Sequence, residues 1–391
     1  MNRLSLSLTM LLALWSAAGN VLGATYDIID LGGGSGTAPY GINASGQVVG
    51  STYFSGTSDN QRPFLWSNGH VMDLGTLGGL AGEAKAINAG GQVVGWADLP
   101  EGASRTYHGF LWSNGQMTDL GTLGGTLSWA NAVNASGQVV GWSTLPGDTS
   151  NHAFLWSNGQ MTDLGTLGTW SEASGINDSG QVVGRSYSVA SEAVRAFLWS
   201  NGRMNDLGTI AGPWGNSGAS GINNSGQVVG SATALATYSH AFLWSNGQMN
   251  DLDTIVGPWG NSHATAINNR GQIVGLSDGR VLGTRRGFLY SGGQMMELDE
   301  LMGWTSGWSS RGVTGINDSG QIVGWAYHSG QNGIGFLMTP IPEPSTFALL
   351  AIGFAILAIG WVAGIDRASP RRRTIRGSGK PYSVPLLRQK Q

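Results

Sequence analysis

Several side chains in this sequence have the chemistry of an active centre, but their spacing argues against one. His108, His152 and His240 recur at equivalent points of a repeated phrase. Imidazoles bind metals or move protons. Three of them at the spacing of a repeat fall in separate structural units, however, and Arg195 and Arg286 stand at the same point in other copies. That exchange suits a hydrogen-bonding role at a strand end better than ligation, so no metal is expected. Asp73, Asp119, Asp163, Asp206 and Asp251 recur in the same way. A carboxylate present in nearly every copy is structural.

The unrepeated carboxylates Asp98, Glu101, Asp148, Glu172 and Glu192 are the material for an alternative, a glycan-processing enzyme, which needs two acids at a fixed separation. The chain has no cysteine. That removes thiolate nucleophiles, disulfides and cysteine-ligated metals. Glycine-rich stretches such as 32–36 lack the lysine of a phosphate loop. No cofactor is expected.

The repeat itself explains the chain better than any catalytic motif. Ile-Asn-x-x-Gly-Gln-Val-Val-Gly, with small variations, places Asn43, Asn88, Asn134, Asn177, Asn223, Asn268 and Asn317 at intervals of 43 to 49 residues. It alternates with Phe-Leu-Trp-Ser-Asn-Gly-Gln-Met-x-Asp-Leu-Gly. A fixed period of this length signals a repeat architecture. Asn-x-Ser occurs in five of the turns, but the Asn is read there as a turn former, not as a glycosylation acceptor.

One copy, residues 130–168, reads as four strands, A to D. Strand A is 130–134, the turn Ala135-Ser136-Gly137 follows, and strand B is 138–143. Strand C is 152–157. Asn158-Gly159 is a strong hairpin signal because both residues accept positive φ, and strand D is 160–164. Four antiparallel strands in about 45 residues describe a propeller blade.

The ends are complementary: 26–32 is a D strand with nothing before it, and 335–340 is a C strand with nothing after it. The fold expected is all-β, a seven-bladed propeller over 25–340 closed by its N-terminal outer strand. A solenoid is the alternative. Glycine, at 65 residues, supplies the turns that such a fold needs.

Segments outside the repeats carry targeting features. Residues 1–24 read as a signal peptide: Arg3, then a mostly apolar run, then small residues. Pro342-Glu343-Pro344 precedes 346–365, twenty residues without a charge, long enough for a transmembrane helix. A basic cluster follows, as at a cytoplasmic end. Between 25 and 341 there are 11 Lys or Arg against 21 Asp or Glu, and so acidic a body argues against nucleic acid as a partner.

The order of Pro-Glu-Pro, apolar span and arginines over 341–373 resembles the PEP-CTERM sorting signal, also catalogued as an ice-binding protein C-terminal domain. The resemblance implies export, membrane retention and an exosortase-type processing enzyme as partner. The basic tail 374–391 extends beyond the usual end of such a signal. The repeats resemble the HAF family of extracellular repeats, through His152-Ala153-Phe154 and His240-Ala241-Phe242 and their variants. That resemblance implies secretion and a propeller-like fold, and no common activity. Threonines are not arrayed on a long flat strand, so ice binding is not expected.

Strand direction puts the A–B and C–D turns on one rim and the B–C and D–A loops on the other. The first set is nearly invariant; the second varies. Trp129, Trp170, Trp214, Trp259, Trp304 and Trp308 are read into the D–A loops. There they either bind a ligand or plug gaps between blades, and packing is the reading favoured. The function expected is a non-enzymatic, membrane-tethered propeller for adhesion or interaction with extracellular polysaccharide or a surface protein.

Overall fold

The computed structural model describes residues 26–341, apart from 34–35, 56–59, 101–105, 235–237, 280–283 and 303–306. The expected signal peptide, sorting signal and span 346–365 lie outside the described residues. Among the described residues no helix is long and apolar enough to cross a membrane.

Seven four-stranded antiparallel sheets follow one another along the chain. Numbered as blades 1 to 7, each has the order A-B-C-D. Blade 3 is typical, with strands Ser128–Val133, Val139–Thr144, Asn151–Ser157 and Gln160–Asp163. Its A strand starts two residues earlier than the sequence suggests, because Trp129 pairs with Trp142. The last blade takes its fourth strand from the other end of the chain. Tyr26–Asp30 pairs antiparallel with Gln331–Pro340, running from Tyr26 opposite Pro340 to Asp30 opposite Phe336. The ring is therefore closed as the unmatched end strands imply, and the solenoid alternative is excluded.

The sheets are apolar on both faces because each lies between two others. Phe64, Phe110, Phe154, Phe197, Phe242, Phe288 and Phe336 occupy the same point of every C strand and are fully buried. Each packs in a cluster shared with a neighbouring blade, as Phe110 does with Val49 and Leu65 of blade 1. Asn158 (φ 51°) and Gly159 (φ 83°) form the C–D turn in the expected left-handed conformation.

The A–B turns do more than reverse the chain. Each repeat Asn accepts from the backbone N–H four residues on, as Asn134 does from Gln138 at 2.9 Å. Its side-chain amide also donates to the main-chain carbonyl of the corresponding Asn in the next blade. Asn43 reaches Asn88, Asn134 reaches Asn177, and the series runs on until Asn317 reaches Asn43 at 2.9 Å. A circle of seven hydrogen bonds thus joins all blades around the axis. These asparagines are 3–6% exposed, which bears out their structural reading.

Candidate binding rim and channel mouth

A β-bulge interrupts every A strand at the same place. A bulge leaves one residue unpaired and re-aims it. Here the extra residue is Tyr40, Lys85, Asn131, Ser174, Ser220, Thr265 or Thr314, and all seven line the central channel. The B-strand glycine opposite is required by the same distortion: a Cβ on Gly141 would fall on the Trp129 carbonyl oxygen.

Toward the Asn circle the channel narrows to a collar of Val133 and six isoleucines, among them Ile42 and Ile176. Toward the variable rim it opens into a cavity of about 630 Å³. That mouth is asymmetric. Blades 1 to 4 contribute Tyr40, Lys85, Trp129, Trp142, Glu172 and Arg185; blades 5 to 7 contribute mostly Gly, Ala, Ser and Thr.

The aromatic side is continuous. Trp129 lies 4.9 Å from Trp96, 6.2 Å from Trp142 in a stacked arrangement, and edge-on to Tyr107 at 5.8 Å. The Lys85 ammonium sits 3.8 Å from the Tyr40 ring centroid and 5.2 Å from that of Trp129, within cation–π range. The charges are paired in place: Lys85 with Glu83 at 2.6 Å, Arg185 with Glu172 at 2.7 Å. Burial, and then the charge of Arg285, push the His263 imidazole below its usual range and favour its neutral form. Burial, then Glu83, push the Tyr40 phenol up.

The tryptophans chosen from sequence separate into two groups. Trp214 and Trp259 do lie in D–A loops and are 75% and 72% exposed, so for these two the plug reading is wrong. Trp129, Trp170 and Trp308 lie on A strands and not in loops. The A strands of blades 4 and 7 are nine residues long, which draws Trp170 and Trp308 into the sheet. Arg185 lies over the Trp170 ring at 5.8 Å. Trp308 stacks on His328 of its own blade at 4.1 Å. Trp304 lies outside the described residues.

The exposed pair stands on well-anchored loops of one sequence, Gly-Pro-Trp-Gly-Asn-Ser. Buried Arg195 donates to the carbonyls of Pro213 and Gly215, on either side of Trp214. Asn216 donates its N–H to Thr233 at 3.1 Å and accepts from Val194 at 3.0 Å. In the next blade Asn261 donates to Asp278 at 2.8 Å and accepts from Ser239 at 3.1 Å, and Tyr238 meets Trp259 edge-on at 6.4 Å.

The repeated His and Asp are partners within single blades. His108 Nδ1 lies 2.8 Å from Asp119, His152 the same distance from Asp163, and His240 2.9 Å from Asp251. Arg62–Asp73, Arg195–Asp206 and Arg286–Glu297 take the same place in other blades. Burial pushes the Asp119 carboxyl up, but hydrogen bonds from His108 and the Gly121 amide outweigh it and hold the group below the usual carboxylate range. These are the strand-end bonds expected of them.

The loop acids have local partners too. Asp98 accepts from the Ala81 N–H at 3.2 Å, and Asp148 from the N–H and hydroxyl of Thr126. Glu172 accepts from Asn151 and Arg185. Glu192 takes a positive φ of 51°, and Glu101 lies outside the described residues. Sequence reasoning missed Tyr40, Lys85, Trp142 and Arg185 as mouth residues. The available signal was two variable columns of the repeat, one three places before each Asn, which holds Tyr40 and Lys85, and one eight places after it, which holds Trp142 and Arg185.

No family model matches the chain, and no curated protein does. Among solved structures, the chain resembles the β-propeller domain of the Trilobed protease from Pyrococcus furiosus, described as having an open velcro topology. The identity is 11%, the coverage 67% of this chain and 81% of that one, and the TM-score 0.45. It also resembles TolB from Acinetobacter baumannii, at 12% identity, 64% coverage of each chain and a TM-score of 0.38. A third similarity is to Porphyromonas gingivalis dipeptidyl peptidase 4, at 8% identity, 78% and 60% coverage, and a TM-score of 0.37.

Proposed function

We propose that this propeller is a non-enzymatic binding module of the cell surface or extracellular matrix, and that its variable rim holds extracellular polysaccharide. In this reading 1–24 directs export. The sorting signal at 341–373, with Pro342, Glu343 and Pro344, retains the chain at a membrane until an exosortase-type enzyme processes it.

The observation that carries the reading is the pair Trp214 and Trp259, held out into solvent by loops that are themselves tied down. An exposed indole contributes little to folding. Fixing its backbone in advance lowers the entropy cost of binding, and a flat ring with a polar edge suits the faces of sugar rings. One loop sequence used twice in adjacent blades suits a ligand that also repeats.

Affinity electrophoresis through gels containing extracellular polysaccharide from the producing cells tests this. The full chain is expected to be retarded, and Trp214→Ala/Trp259→Ala to run unretarded. Because both side chains are mostly exposed, each substitution should change stability by only about 0.5 kcal/mol or less. Equal retardation of the two proteins would overturn the reading.

A further inference from the structure

The variable rim also contains the channel mouth, which is built from different residues. We infer that this mouth is a second binding site, one that takes a neutral saccharide unit between the aromatic wall of blade 3 and the hydroxyl-bearing wall of blades 4 to 7. Its volume of about 630 Å³ lies within the range of pockets that hold small ligands, ~300–1,000 Å³.

The two walls differ as the two aspects of a sugar do. Trp129 and Trp142 are half-buried and lie nearly parallel, with ring centroids 6.2 Å apart, along one side, where their apolar ring surface suits a sugar's C–H face. Around the rest of the mouth, the hydroxyls of Ser174 and Ser231 have no hydrogen-bond partner among the described residues. Thr265 and Thr314 donate to strand carbonyls, at 2.9 Å to Val313 and 3.0 Å to Pro39, and keep a free acceptor lone pair. Below, the collar of β-branched side chains offers nothing to a sugar hydroxyl, and pushing one into it unpaired is costly. The ligand therefore stops in the mouth.

Preference for a neutral ligand follows from the ion pairs. Lys85 is neutralised by Glu83 and Arg185 by Glu172. A carboxylate or sulfate on the ligand would gain no free counter-charge and would lie near Glu172. This separates the mouth from a site for uronate or sulfated sugars, which would use unpaired Arg or Lys.

Isothermal titration of the full chain in detergent tests the proposal with cellobiose, lactose, maltose, mannobiose and glucuronate. At least one neutral disaccharide should bind and glucuronate should not. Ser231→Trp, which fills the mouth from the small-residue side, should weaken that binding at least tenfold at an unchanged melting temperature. Glu172→Gln leaves Arg185 without its counter-charge and should admit glucuronate, a gain that a misfolded protein could not show. Trp214→Ala/Trp259→Ala should bind the disaccharide like wild type, which keeps this site distinguishable from the polysaccharide rim. Failure of every neutral sugar, binding unaffected by Ser231→Trp, or glucuronate bound as well as the neutral sugars by wild type would each overturn it.

Discussion

Deleting residues 26–31 from the otherwise full chain is expected to lower the melting temperature by about 10 °C or more. The segment supplies the whole outer strand of blade 7, five residues paired with Gln331–Pro340. It also carries Leu31, 2% exposed, whose N–H donates to the Gly335 carbonyl at 2.9 Å. Loss of a buried Leu alone costs about 2–5 kcal/mol. At about 2.1 cal/mol/K of unfolding entropy per residue, each kcal/mol shifts the melting temperature of a domain of this size by about 1.5 °C, so the lost strand pairing and the buried Tyr26 add to the effect of Leu31. The deletion also bares the edge of the strand Gln331–Pro340, and an unpaired edge is a template for association, so the truncated chain should sediment partly as oligomers. Calorimetry and sedimentation check both. A truncated chain that melts with wild type and stays monomeric would show that the N-terminal strand is not the clasp of the ring.

Replacing one asparagine of the inner circle, for example Asn177→Ala, is expected to cost about 2–4 kcal/mol. Its side chain makes four hydrogen bonds: it accepts from Ser179 and Gln181, and donates to Gln181 and to the Asn223 carbonyl of the next blade. Removing it strands buried polar groups, at about 1–3 kcal/mol for each one left unsatisfied. Asn177→Asp should be worse than its near-identical shape suggests, because it places a carboxylate oxygen against the Asn223 carbonyl. Denaturant unfolding of Asn177→Ala, Asn177→Asp and wild type reads the difference. A change below about 0.5 kcal/mol, the level of an ordinary surface substitution, would mean that the blades are joined by their apolar faces alone.

The fold was legible in the sequence to the extent that it rests on local signals. Asn158-Gly159 and Asn134-x-x-Gly137 specify turns by their own backbone preferences, and the unmatched strands at 26–32 and 335–340 specify closure by simple complementarity. The second bond of each asparagine was not legible, because the local turn already accounts for the residue and its other partner lies a whole blade away. The mouth was hidden for a related reason. Whether Lys85 or Asn131 points between blades or into the channel depends on the A-strand bulge, which arises from pairing with the B strand and its invariant glycine and has no signature of its own. The tryptophans show both outcomes. Trp214 and Trp259 lie in a Gly-Pro-Trp-Gly loop whose turn residues keep it out of the sheet. Trp129 adjoins a strand and was taken into it by pairing with Trp142.

We propose that the variable rim binds polysaccharide without cleaving it. The most direct measurement incubates the full chain with the polysaccharide that retards it and follows two signals in one sample, the amount bound and the number of new reducing ends. Saturable binding is expected, lost in Trp214→Ala/Trp259→Ala, with reducing ends constant over time. Reducing ends that rise in proportion to protein, and cease to rise in Glu172→Gln, would contradict it and identify a glycan-processing enzyme instead.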